Sequence, residues 1–265
     1  MIPKECNNIG KGGHWVVERI TMNNNGQKVS VIRKHGKSGK ADENIVAFNL
    51  VSKAGLPTLS RYVRISDSVI EAEDLNTDIT NGYFVSPNTV RGCDDCGSLL
   101  IKVMSNKQLT ETESEAFYRC GLDEIVYMIK EKGVGALSDK IVEELRSKKL
   151  LPGAEGELYY NKVAHITNLD SFLVKAKVDM IKAADTGIEL YPDAFFFRVN
   201  PNDGKIEYRI ADFDCIRDVS RYKNCYTELV NSNIEHIKTS FEEYVMFFVV
   251  KEKQEDYAKQ IRDFS

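Results

Sequence analysis

The sequence predicts an α+β fold in which a small antiparallel β lobe carrying one helix precedes a larger, mainly helical lobe. Three observations lead there. Residues 1–75 consist of short runs rich in β-branched residues, separated by Gly and Asn turn signals. From about residue 107 onward, longer runs with helical apolar spacing dominate. A single strand pair, between Gly187 and Asp214, interrupts those helices.

The elements follow in order. A first strand leads into a Gly-rich turn at "GKGG", Gly10 to Gly13. "HWVVERITM" and "KVSVIRKH" are two further strands, and "NNNGQ" between them is a strong turn signal. After the loop "GKSGKAD", Asp42 is the expected N-cap of the helix "ENIVAFNLVSKAG", whose apolar residues are Ile45, Val46, Phe48, Leu50 and Val51. Gly55 stops this helix and Pro57 confirms the stop. "RYVRISD" and "SVIEAEDL" form an antiparallel pair. Residues 76–105 are irregular and turn-rich, and are expected as an insertion. Helices are expected over "LTETESEAFYRCGLDEIVYMIKEKG", "LSDKIVEELRSKK" and "LDSFLVKAKVDMIKAAD", with two more toward the C-terminus. The expected boundary lies between an N-terminal lobe at 1–75 and a C-terminal lobe at 76–265, and a cleft between such lobes is a common ligand site.

Composition bounds the function. A formal charge of −4 over 265 residues gives no support for a nucleic-acid partner by bulk electrostatics. No apolar run approaches the roughly 18–20 residues that span a bilayer, so no membrane span is expected. "MIPKECNNIGKGG" lacks the apolar centre of a secretory signal, so the expectation is a soluble cytoplasmic protein, or one exported by a route that needs no such signal. Of six cysteines only Cys93 and Cys96 form a C-x-x-C, and no second pair completes a zinc site. The expected state is a pair of reduced thiols in an Asp- and Gly-rich loop.

Three stretches carry candidate chemistry. In "GKGGHWVV", glycines without a Cβ let backbone N–H groups approach phosphate oxygens, although a plain hairpin turn reads the same way. In "VIRKH", strand alternation puts Ser30, Ile32 and Lys34 on one face and Val29, Val31 and Arg33 on the other. Lys34 or Arg33 therefore points inward, depending on register, and the inward one can neutralise phosphate. In "IADFD", Asp212 and Asp214 lie at a strand end on one side of the pleat, a suitable pair for a hard cation or for capping a turn.

The order of these stretches resembles the protein-kinase-like superfamily over roughly residues 8–216. "GKGGHWVV" resembles its G-x-G-x-x-G-x-V loop, with Gly10, Gly12 and Val17 in place, Gly13 beside them and Trp15 where the third glycine would stand. "VIRK" resembles V-A-I-K, "VIEAEDLN" the strand leading into the hinge, and "IADFD" the D-F-G segment with Asp for Gly. "ELYPDA" lies over D-L-K-P-E-N, with Glu189 at the catalytic Asp and Ala194 at the metal-binding Asn. No A-P-E follows.

The resemblance implies a two-lobed kinase-like fold that binds ATP and magnesium. Gly10, Gly12, Gly13 and Lys34 would hold the nucleotide, with Glu43 pairing to Lys34 and Glu73 at the hinge strand. Asp212 would bind magnesium, helped by Asp214 or Asp193, and Glu189 would be the base. The implied activity is phosphate transfer to a protein or small-molecule hydroxyl. The alternatives are a pseudokinase acting as a binding or regulatory module, a nucleotide-transferring variant of the same fold, and an unrelated α+β protein.

Overall fold

The computed structural model describes residues 3–11, 14–24, 27–77, 84–86, 108, 166–220 and 226–263. The helices expected over 109–133 and 137–149, the C-x-x-C and most of the 76–105 insertion lie outside these residues. The protein is α+β, with an antiparallel five-stranded sheet near the N-terminus and helices predominating among the described residues of the C-terminal part.

Strands β1 (Pro3–Lys11), β2 (Trp15–Asn24) and β3 (Gln27–Gly36) run antiparallel in sequence. Pairing of Asn24 with Gln27 leaves two residues between β2 and β3, the length of a tight Asn-Gly hairpin. β1 shifts register between Asn8 and Gly10, so Gly10 pairs with Val17. β4 (Tyr62–Arg64) and β5 (Val69–Glu73) complete the order β1-β2-β3-β5-β4. The expected plan of three strands, a helix and two strands is therefore present.

The helix starts earlier than its sequence suggests. α1 spans Lys40–Lys53, with Gly39 at the N-cap in the left-handed region (φ 83°). The Asp67 carbonyl accepts from the amides of Gly39 and Ala41, so this carbonyl and Gly39, rather than Asp42, define the first turn. Asp42 sits inside that turn and pairs with Arg64 at 2.6 Å. At the other end Gly55 takes φ 66°, its amide donates to the Ser52 carbonyl, and the Leu56 amide donates to Val51. This is a Schellman ending, and it explains the glycine. The buried stripe of α1 is Ala41, Asn44, Ala47 and Val51. Val46, one of the expected apolar positions, is 58% exposed.

α2 spans Leu169–Asp185, as its apolar spacing predicts. Leu169, Phe172, Leu173, Ala176, Met180, Ala183 and Ala184 are buried along one stripe. The stretch after it holds more elements than the expected strand pair. β6 (Ile188–Leu190) is followed by a 3-10 turn at Pro192–Ala194, then β7 (Phe195–Val199) and β8 (Ile206–Ile210). A second 3-10 turn, Phe213–Cys215, leads into β9 (Ile216–Asp218), which pairs with β6. α3 (Tyr226–Phe248) and α4 (Lys251–Asp263) are the two expected C-terminal helices.

The chain divides into two compact units, each drawn from three stretches. The first comprises Met1–Ile79, Ala176–Phe195 and Tyr208–His236. Its core includes a triad of Phe48, Tyr62 and Phe213, with ring centroids 4.5–5.4 Å apart. Here β6 is held by Asn233, which donates to the Ile188 carbonyl and accepts from the Leu190 amide, both at 2.9 Å. The second unit comprises Thr80–Lys175, Phe196–Glu207 and Ile237–Ser265. Phe197, Phe241 and Tyr244 pack at its centre. Every candidate site residue that is described belongs to the first unit.

Candidate functional site

The site is built where β3, α1 and the Asp-Phe-Asp turn meet within the first unit. On β3, pairing of Lys34 with Ile70 sets the register that sends its side chain to Asp212. Lys34 Nζ lies 3.8 Å from Asp212 Oδ1 and 5.8 Å from the Tyr62 ring centroid. Its neighbour Arg33 points to the opposite face and donates to Glu71 at 3.1 Å. The two basic residues left open by sequence alone are thus separated by the pleat. Burial opposes the charge on Lys34, but Tyr62, Asp212 and Asp214 outweigh it, and its pKa is raised. Lys34 is a cation throughout the physiological range.

Asp212 precedes the 3-10 turn and caps it, accepting from the Asp214 amide at 3.4 Å. Its side chain remains 36% exposed, against 14% for Lys34. Asp214 is held differently. The Trp15 indole N–H donates to Asp214 Oδ2 at 2.6 Å, and the Asn44 amide donates to Oδ1 at 2.8 Å. Asn44 is buried, and its own Oδ1 accepts from the Tyr62 hydroxyl at 3.0 Å. Burial, foremost, pushes the Tyr62 hydroxyl up to about 12, so it stays a donor. Trp15 lies across Gly36, its cross-strand partner, so closely that a Cβ there would fall 2.7 Å from the ring.

The remaining sequence candidates are placed as follows. Glu43 is not brought to Lys34. Its side chain is 66% exposed and pairs with Lys40 at 2.6 Å. One residue along a helix is a rotation of about 100°, and Asn44, not Glu43, falls on the buried stripe with Ala41, Ala47 and Val51. Glu73 spends its carboxylate on the Ser60 amide at 2.5 Å. Glu189 lies on β6 between buried Ile188 and Leu190, so alternation sends it to the other face. There it pairs across the sheet with Arg217 and accepts from the Tyr191 hydroxyl at 3.3 Å. No hydrogen bond or ion pair among the described residues joins it to Lys34, Asp212 or Asp214. Asp193 lies in the 3-10 turn whose buried Ala194 accepts from the Ala211 amide at 3.0 Å, tying this turn to the approach to Asp212. Gly10 belongs to β1; Gly12 and Gly13 lie outside the described residues.

Cys215 reports the sign of the local field. Burial pushes its thiol well above the usual range, and Asp212, Asp193 and Asp214 push the same way, with Lys34 opposing. Asp193 therefore shares the electrostatic neighbourhood of the Asp-Phe-Asp turn. Ala194 is fully buried, which accounts for a small apolar residue there.

Two groups escaped sequence reasoning. Asn44 was detectable only as a polar residue on the buried helical stripe Ala41–Asn44–Ala47–Val51. Asp74 is buried at the exit of β5, where it accepts two bonds from Arg19 (2.7 and 3.1 Å), one from Ser30 (2.6 Å) and one from the Asn76 amide (3.1 Å). It anchors the end of β5 to β2 and β3, and no local signal distinguishes it from any other acid after a strand.

No family model matches the chain, and no curated protein matches it. Among solved structures, a spectinomycin phosphotransferase, APH(9)-Ia, in complex with ADP and spectinomycin is similar at 12% identity and a TM-score of 0.29, over 100% of this chain and 84% of that one.

Proposed function

We propose that the protein is an ATP-dependent phosphotransferase with an atypical catalytic loop, acting on a hydroxyl of a small molecule or protein. The observation that carries this reading is the Lys34–Asp212 pair at 3.8 Å, a half-buried cation and a more exposed carboxylate from sequence positions far apart. Lys34 binds ATP phosphate oxygens and the Asp212 carboxylate serves magnesium. Among the described residues no three His, Cys, Asp or Glu side chains converge to hold a metal ion. Asp212 would supply the one carboxylate, and magnesium is commonly bound through one or two carboxylates with phosphates and water completing its shell. When bound, magnesium neutralises charge on the transferring phosphate. In the transfer, the acceptor hydroxyl oxygen bonds to the γ-phosphorus, the bond from that phosphorus to the ADP oxygen breaks, and the hydroxyl proton passes to a carboxylate. We assign that proton to Asp193, whose 3-10 turn is tied through Ala194 to Ala211 beside Asp212, rather than to Glu189, which is engaged with Tyr191.

A second reading, a nucleotide-binding regulatory module without transfer, is favoured by the separate position of Glu189 and by buried Ala194 in place of a metal-binding Asn. Thermal unfolding with ATP, with and without magnesium, tests the binding common to both. The expected result is a magnesium-dependent rise in Tm that Lys34→Met and Asp212→Asn each abolish. No rise in the wild type would overturn the nucleotide site. Transfer from labelled ATP then separates the readings: the enzyme reading expects turnover lost in Asp193→Asn and retained in Glu189→Gln, and no turnover at all would leave the regulatory module.

A further inference from the structure

Asp214 stands beside Asp212 in a pattern that offers two carboxylates to a metal, yet both of its oxygens are occupied. Trp15 and Asn44 donate to them at 2.6 and 2.8 Å, and both donors are buried. Each oxygen keeps a second lone pair, but two buried donors fix the carboxylate and draw on its charge, so a cation would have to approach on the lone pair each donor leaves. The holders are themselves held. Asn44 is oriented by the Tyr62 hydroxyl, and the Tyr62 ring lies 4.5 Å from Phe213 and beneath Lys34. Trp15 rests on Gly36 at the end of β3, two residues beyond Lys34. The connections therefore close on themselves: Lys34 to Tyr62, Tyr62 to Asn44, Asn44 to Asp214, and Asp214 through one residue to Asp212, which faces Lys34.

We propose that Asp214 is a positioning residue and not a metal ligand, with Asn44 and Trp15 as its holders, and that this latch sets Asp212 against Lys34. The inference rests on the nucleotide-site reading above. It assigns α1 a link to the Asp-Phe-Asp turn that passes through a neutral amide.

The test compares Asp212→Asn, Asp214→Asn and Trp15→Phe, the last keeping an aromatic ring on Gly36 while removing the N–H. ATP affinity and the magnesium concentration giving half-maximal ATP binding are measured for each. Asp212→Asn should raise the magnesium midpoint about tenfold or more, since it removes a direct ionic ligand. Asp214→Asn and Trp15→Phe should weaken ATP binding, by a factor of order ten, with the magnesium midpoint moved less than about threefold. Their double variant should be no worse than the weaker single, because both act through one contact. A magnesium midpoint moved as far by Asp214→Asn as by Asp212→Asn would overturn the positioning role and leave the nucleotide site standing. So would independent, multiplicative effects of the Asp214 and Trp15 substitutions. A wild-type protein that binds no nucleotide overturns both.

Discussion

Replacing Gly36 by alanine should dislodge Trp15 and loosen the latch on Asp214. Gly36 is a strand residue paired with Trp15, so the effect of the added methyl is steric. Its Cβ would lie 2.7 Å from both Cε3 and Cζ3 of the indole and 3.0 Å from Cη2. The ring is rigid and must retreat by about 0.7 Å to restore ordinary contact, and it retreats as a unit with its N–H. The indole bond to Asp214 is 2.6 Å long and points at a charged oxygen, so it is among the stronger bonds of the site. Overpacking costs about 1–3 kcal/mol. Loss of a hydrogen bond to a charged group adds about 1.5–3 kcal/mol, offset in part because Asn44 keeps its hold on Asp214. The expected destabilisation is about 2–5 kcal/mol, read from urea unfolding followed by far-UV circular dichroism. Trp15 is the chain's single tryptophan, so its emission reports this contact alone and should move to longer wavelength as the indole leaves its buried place. An unfolding free energy within about 0.5 kcal/mol of wild type, with unmoved emission, would refute the account of Trp15.

Three further outcomes are expected. Asp74→Asn should destabilise the protein by about 1.5–3 kcal/mol in urea unfolding, because it removes the buried charge that accepts from Arg19, Ser30 and the Asn76 amide. Glu43→Gln should change stability by less than about 0.5 kcal/mol and leave magnesium–ATP affinity unchanged by calorimetry, since its exposed carboxylate is paired with Lys40. For Tyr62, the folded protein holds the hydroxyl proton to about pH 12 while the unfolded chain releases it near 10. Its contribution is therefore complete below pH 10 and lost as pH rises through about 12, and Tyr62→Phe should flatten the fall of Tm across that window.

Local chemistry was enough for the order of β1 to β5 around α1. Alternating β-branched residues and an Asn-Gly turn signal act within a few neighbours, as does the Gly55 stop, whose Schellman bonds reach only three and five residues back. α2 was equally readable, because its buried stripe repeats over four turns. The chemical types at Lys34 and Asp212 were also visible, since a basic strand end and an acid after a strand are each short patterns.

Residues that required the folded chain are those whose partners lie far away in sequence. Whether Glu43 or Asn44 faces inward follows from which stripe of α1 packs, here Ala41, Asn44, Ala47 and Val51, and neighbouring residues on a helix point about 100° apart. Lys34 and Arg33 are told apart only by the pairing of β3 with β5. Glu189 is sent away from Asp212 by the burial of Ile188 and Leu190 on β6, and β6 is itself held by Asn233 on α3. The indole of Trp15 meets Asp214 across 199 positions of chain. Propensity and periodicity act over a turn or a pleat, whereas which donor reaches which carboxylate depends on packing that no local pattern encodes.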